Sequence, residues 1–454
     1  MRQSWSSYAI LSVVALALAV ILFQRLWEQR DRVIEHDVHG YYAFLPALFI
    51  YDDIRLEKSD YREVSDQGDY YYFWPNFTPE GKKIIKYPVG LAVLYAPFFF
   101  IAHALAHIVD APTTGFSVPY KIMLLVGAAC YLFLGLLLLR SLLRRIGVGE
   151  RTTALAILVV GSGTNLLCYS SQSATMPHVY GFFLVAAFAY LTVRWFERPL
   201  WRYTILLGLV FGLITLVRPT NGVVGLFFLL CGVSRLRDVG AQAQRLLRAW
   251  PHLLTMAAIT FVVWIPQFLY WHVVTGQFIY YAYQDEGFFF THPHLIDGLF
   301  SFRKGWFVYT PAMAFALIGL FLLKDRALAM RSGIVAVLVV HVYITFSWWC
   351  WWYGGTFGQR PMIEIYPLLT LPLCAVIDRI WSAATTIRVV SIGFAACLVL
   401  LNIFQTYQYE LGLIHYDAMS RELYFKQLGK VLPVEGFHDL LDHPDYDRAR
   451  KTGR

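Results

Sequence analysis

Residues 35–46, Glu-His-Asp-Val-His-Gly-Tyr-Tyr-Ala-Phe-Leu-Pro, gather carboxylate, imidazole and phenol groups within a few positions of an otherwise apolar stretch. Asp37 can take a proton from an attacking hydroxyl if the fold brings a substrate to it. It can also join His36 and His39 as ligands of a divalent metal, or do no chemistry and cap the helix expected over VHGYYAFLPALF. Tyr41 follows as a phenol able to hydrogen-bond the same substrate. Arg218, in LVRPTNG, lies between two short apolar segments. An arginine at that depth is costly, which points to an anion site, with an ion pair or a snorkelling side chain as the structural alternatives. Residues 348–364, WWCWWYGGTFGQRPMIE, follow an aromatic run with Gly354, Gly355, Gly358, Gln359 and Arg360. Exposed backbone amides beside a guanidinium are the parts needed to grip a phosphate. Lys86 in KKIIKYPVG, and Arg303 and Lys304 in FRKGWFVYTP, add positive charge or contact lipid headgroups. His178, at the start of a span in YSSQSATMPHVYG, reads as an interfacial hydrogen-bonder or a substrate contact.

The elements that position these residues are set by hydropathy. Of 454 residues, 58% are hydrophobic, 17% aromatic and only 15% charged, against about a quarter charged in a soluble domain. Apolar runs approach the roughly twenty residues of a membrane helix, with Trp and Tyr near their ends. A β-barrel would instead alternate over about ten residues. The net charge of +8 sits in short loops between apolar runs, where topology accounts for it, so no nucleic-acid partner is expected. Six cysteines without metal-ligand spacing read as small buried hydrophobes. Residues 8–24 read as a retained first span because no small-residue cleavage site follows.

Twelve apolar segments are expected at 8–24, 88–109, 119–139, 152–169, 176–193, 203–217, 219–233, 251–272, 306–323, 332–348, 363–377 and 386–404. Arginine-rich loops near 140–151, 194–202, 235–248, 324–331 and 379–388 fall on one side if every segment from 119 onward crosses once, and the positive-inside rule makes that side cytoplasmic. Parity then requires 88–109, with two prolines and two histidines, to be re-entrant or interfacial. The expectation is an all-α polytopic membrane protein of about eleven transmembrane helices. Its transmembrane domain covers 1–404, with a long first outer loop 25–118, and a short outer C-terminal tail covers 405–454. No fixed-period repeat is apparent, which weighs against inverted-repeat transporters.

The stretches HDVHGYYAFLP, KYPVGLAVLYAPFF, LVRPTNG and YGGTFGQRPMIE resemble uncharacterised bacterial members of the GT-C glycosyltransferases. That superfamily includes protein O-mannosyltransferases, the lipid A aminoarabinose transferase and oligosaccharyltransferase. The resemblance implies a GT-C-like bundle in which the acidic residue of the first outer loop acts on the acceptor, hence a catalytic role for Asp37. Val38 stands where the mannosyltransferases carry the second residue of an Asp-Glu pair, and WWC and WWY stand where oligosaccharyltransferases carry WWD.

The donor class follows from chemistry. Nucleotide sugars are cytosolic, and the chain has no glycine-rich βαβ fingerprint to bind one. An outward-facing site is most simply supplied by a sugar on a polyprenyl phosphate. Breaking that bond leaves a phosphate that needs cations, for which Arg218, Arg360 and Lys86 are the candidates. Asp37 would serve as base, and His36, His39, Tyr41, His178 and Gln359 as contacts to donor or acceptor. The expected acceptor is a hydroxyl of a glycan, lipid or protein, and the reaction inverts the anomeric carbon. No cofactor is expected, a divalent metal being the alternative. The expected location is a cell membrane, the bacterial inner membrane, with the site on its periplasmic or extracellular side and membrane lipids as neighbours. The rival reading is a transporter or flippase of a lipid-linked glycan, using the same arginines and needing no base. An O-antigen ligase-like enzyme would call for a larger late outer loop than 273–305.

Overall fold

All twelve apolar segments form helix over most of their length. The computed structural model describes residues 4–30, 32–58, 62–65, 68–71, 73, 75–235 and 237–454. Among these, seven helices are long and apolar enough to cross a membrane: Trp5–Glu28, Gly90–Ile108, Val118–Arg145, Pro177–Glu197, Trp250–Thr275, Arg360–Trp381 and Thr385–Glu410. Trp201–Val217, Pro219–Leu230 and Arg331–Ser347 are apolar but shorter, as are Glu150–Ser162 and Ala312–Gly319. Proline marks several of the breaks. Pro177, Pro219 and Pro361 each stand in the first turn of a helical segment, where the missing N–H costs nothing and the preceding residue is pushed out of helical geometry. Among the described residues, strand is confined to two hairpins in the first loop, Arg62–Ser65 with Gly68–Tyr71 and Asn76–Phe77 with Lys83–Ile84.

The arginine-rich loops meet at one end of the bundle. Arg145 pairs with Glu197 at 2.6 Å, Arg326 donates to the Arg145 carbonyl at 3.2 Å, and Arg245 donates to the Phe196 carbonyl. Thr152 bonds Asp378, and Glu150 accepts from the Ser6 hydroxyl at 2.7 Å, which brings the start of the first helix to the same end. Pro177–Glu197 and Arg360–Trp381 are the most enclosed spans, while Trp250–Thr275 and Thr385–Glu410 turn most of their apolar surface outward, as lipid-facing helices do. Cys130 and Cys397 lie on outward faces, which corrects the expectation that all six cysteines are buried. Hydropathy does not distinguish a side chain facing protein from one facing lipid.

Helix Gly90–Ile108 doubles back along the first half of Val118–Arg145. Tyr131 donates to the Leu94 carbonyl at 3.0 Å, and the His103 ring lies 6.0 Å from that of Tyr120. The close approach depends on Gly127, where an added Cβ would fall 2.8 Å from the Phe98 ring. Gly90 is tighter still, because a Cβ there would meet the Leu216 carbonyl carbon at 2.4 Å. That contact fixes the start of this helix against the end of Trp201–Val217, one residue before Arg218.

Candidate active site

Asp37 opens the short helix Asp37–Tyr42, but it does not cap it. The N-cap position belongs to His36, at φ +43°, whose side chain does not make the cap bond. The Asp37 carboxylate is instead bonded through both oxygens, accepting from the Tyr87 hydroxyl at 2.7 Å and from Arg360 Nη2 at 2.9 Å. Gly40 makes room for this, since a Cβ there would lie 2.5 Å from the Tyr87 ring, and Tyr41 stacks on the same ring at 4.2 Å. Burial pushes the Asp37 carboxyl up, but the Arg360 charge and the hydrogen bonds from Tyr87 and Arg360 outweigh it, leaving the group below its ordinary value. Burial, reinforced by the Asp37 charge, pushes the Tyr87 phenol well up, so Tyr87 stays a donor. The Asp37 side chain keeps 31% exposure, which makes it the reachable carboxylate of the site.

Arg360 arrives from the glycine-bearing loop. Gly358, at φ +58°, turns the chain through a conformation that L side chains resist. Gln359 then anchors the loop, its side-chain amide nitrogen donating to the Trp351 carbonyl at 3.2 Å and its backbone carbonyl accepting from Asn165 at 3.1 Å. Gln359 is therefore turned into packed protein. The Arg360 guanidinium has capacity to spare. Among the described residues its Nε has no partner, and its Nη1 meets the Met176 sulfur at 4.0 Å.

Arg218, in extended backbone at the end of Trp201–Val217, bonds Glu364 at 3.2 Å and lies 5.7 Å from the Tyr353 ring centroid. Glu364 is 1% exposed and also bonds His178 Nδ1 at 2.9 Å. Gly181 admits it to the bundle, because a Cβ there would fall 2.5 Å from Glu364 Cγ. Lys86 pairs with Glu286, a residue of the loop after Trp250–Thr275, and lies 5.0 Å from the Tyr283 ring centroid.

The three cations expected to face phosphate are thus assembled around Asp37 and Tyr41, but each already holds a carboxylate: Arg360 with Asp37, Arg218 with Glu364, Lys86 with Glu286. The sequence reading missed Glu364, Glu286 and Tyr87. Glu364 carried a usable signal, an ionisable residue inside an apolar segment four positions after Arg360; Glu286, in a loop, carried none. His36 is exposed, while His39 is buried and stacked on Phe116 at 6.4 Å. Among the described residues no group of three or more His, Cys, Asp or Glu side chains is placed to hold a metal, so Asp37, His36 and His39 do not form the ligand set considered above.

No protein-family model and no curated relative matches this sequence. Among solved structures the chain is similar to the oligosaccharyltransferase AglB from Archaeoglobus fulgidus in complex with an inhibitory peptide and a dolichol-phosphate. The TM-score is 0.51 at 12% identity, over 93% of this chain and 57% of that one. The oligosaccharyltransferase of the same organism in the apo form gives a TM-score of 0.49 at 12% identity, over 99% and 63% of the two chains. This chain spans little more than half the length of AglB. The likeness is one of fold: this chain shares the membrane-helix fold of that oligosaccharyltransferase over 93% of its length.

Proposed function

We propose that the chain transfers a sugar from a polyprenyl-phosphate-linked donor to a hydroxyl of a glycan, lipid or protein acceptor at the outer face of the membrane. The observation that carries this reading is the contact between Asp37 and Arg360, which joins a reachable carboxylate to a guanidinium with unused donors, 323 positions apart in sequence. The likeness to AglB, a protein solved with a dolichol-phosphate and a peptide, supports it.

In the proposed reaction the donor phosphate takes over the Arg360 contact and so releases Asp37. The carboxylate accepts the proton of the acceptor hydroxyl as that oxygen attacks the anomeric carbon. Attack comes from the face opposite the phosphate. The carbon–oxygen bond to phosphate breaks with its electron pair leaving on the phosphate oxygen, where Arg360 stabilises the charge. The configuration inverts. Arg218, tied to buried Glu364, contributes positive potential without giving up its partner, and Lys86 does the same from the loop side. No cofactor takes part. Helix Gly90–Ile108 is assigned to the outer face in this scheme.

Purified protein in liposomes containing a polyprenyl-phosphate sugar is expected to release polyprenyl phosphate only when an acceptor fraction from the cell envelope is added. Lipid movement across the bilayer with no sugar transfer would instead identify a flippase. Orientation is checked separately, in a background lacking native cysteines. A cysteine at Gln284, exposed at the site end, should react with a membrane-impermeant thiol reagent added outside, and one at Gln244, exposed in the basic loop, should not. The reverse pattern would put the site on the cytoplasmic side.

A further inference from the structure

Beside the site lies a buried amine that the proposed reaction does not use. Lys304 is 1% exposed and, among the described residues, forms no ion pair. Its Nζ donates to two backbone carbonyls, those of Thr356 and Tyr416. Burying an amine without a carboxylate partner is costly, and that burial pushes Lys304 down to about 7. The two carbonyls indicate what the cost secures. Thr356 stands four residues before Arg360, in the glycine-bearing loop, and Tyr416 lies in the segment that follows helix Thr385–Glu410. The Thr356 N–H also donates to the Tyr416 carbonyl, at 3.0 Å, so loop and segment are stitched at one point from two directions.

The rest of that segment clamps the residues leading into the loop. Arg303 donates to the Asp417 carbonyl at 3.0 Å and pairs with Asp442 at 2.8 Å. Tyr446 donates to the Asp417 carboxylate at 2.7 Å. Helix Tyr446–Thr452 lays Ala449, 1% exposed, on the buried Trp349–Trp352 run. A loop with left-handed residues at Tyr353, Gly354 and Gly358 has little regular structure of its own to hold it, and these contacts supply the restraint.

We propose that Lys304 is a positioning residue for Arg360: it locks the 354–359 loop to the 411–454 segment and thereby sets the guanidinium against Asp37. The effect on activity rests on the transfer reaction proposed above, whereas the lock itself does not. Lys304→Met in the full chain keeps most of the stem and removes the amine. It is expected to lower kcat about tenfold with little change in acceptor KM, and to speed hydrogen exchange across the 353–359 peptide. In an Arg360→Ala background the same substitution should cost less than about twofold, because its effect passes through a residue already gone. An equal loss in both backgrounds, or unchanged exchange at 353–359, would overturn the proposal. Should Lys304→Met not fold, Tyr446→Phe, which removes the hydroxyl that donates to Asp417 and accepts from Trp352 Nε1, must still raise exchange at 353–359, and no rise would count equally against the lock. If the native chain transfers no sugar, the functional reading fails while the exchange comparison still decides the lock.

Discussion

Asp37→Asn is expected to bind a polyprenyl monophosphate about tenfold more tightly than the native chain and to transfer sugar at least about 100-fold more slowly. The two effects have separate causes. In the resting site the carboxylate occupies Arg360 Nη2, so a phosphate must displace it before binding. The pair is partly exposed, at 31% and 11%, and opening such a pair costs on the order of 1 kcal/mol, near the 1.4 that makes a factor of ten. Asparagine keeps the size and can still accept from Tyr87, but it has no charge to compete with phosphate. It also cannot take a proton from the acceptor, and loss of a general base costs about 100- to 10,000-fold. Equilibrium binding of the lipid phosphate in nanodiscs and single-turnover transfer measure the two arms. Full transfer by the variant would remove Asp37 from the reaction. Unchanged or weaker phosphate binding would mean that Asp37 and the donor do not share Arg360.

Asp37 and Arg360 stood out in the chain as candidates, because a carboxylate beside two histidines and an arginine after a glycine-rich turn are unusual in so apolar a sequence. Their pairing did not, since it depends on how Arg360–Trp381 packs among the other helices, and no local pattern encodes a contact spanning 323 positions. The helices followed the same division. Hydropathy located all twelve segments because each must bury or immerse an apolar surface. It did not show that Glu150–Ser162 would stop after 13 residues, where the chain breaks into the irregular turns of 163–176 before helix Pro177–Glu197. The cap reading of Asp37 failed for a local reason, the positive φ of His36, which advances the helix start by one residue. The 411–454 segment left little trace in the sequence because its hold on Trp349–Trp352 comes from scattered Tyr, Arg and Ala contacts without period.

Arg360→Ala and Arg218→Ala should separate, although both residues were candidates for the same phosphate. In the proposed reaction, removing Arg360 deletes the charged contact to the leaving group, worth about 2–4 kcal/mol of transition-state stabilisation. It strands no buried charge, because Asp37 is partly exposed and keeps Tyr87. Transfer should collapse with folding nearly intact, and Arg360→Lys should recover only part, since lysine cannot present a bidentate fork. The pH profile should move as well. Asp37 must be ionised to act as base, so activity falls as pH drops through its pKa, and with Arg360 gone the upward push of burial is less opposed; the acid limb should therefore shift to higher pH. Removing Arg218 leaves Glu364, at 1% exposure, without its cation inside the bundle, and breaking a buried pair from one side costs about 3–5 kcal/mol of stability. The thermal midpoint of the detergent-purified chain should drop sharply, and Arg218→Met combined with Glu364→Met should regain much of it, because no charge is then left unpaired. If Arg218→Ala instead keeps its midpoint and loses lipid-phosphate binding as Arg360→Ala does, Arg218 grips the donor directly and its bond to Glu364 is one the substrate exchanges.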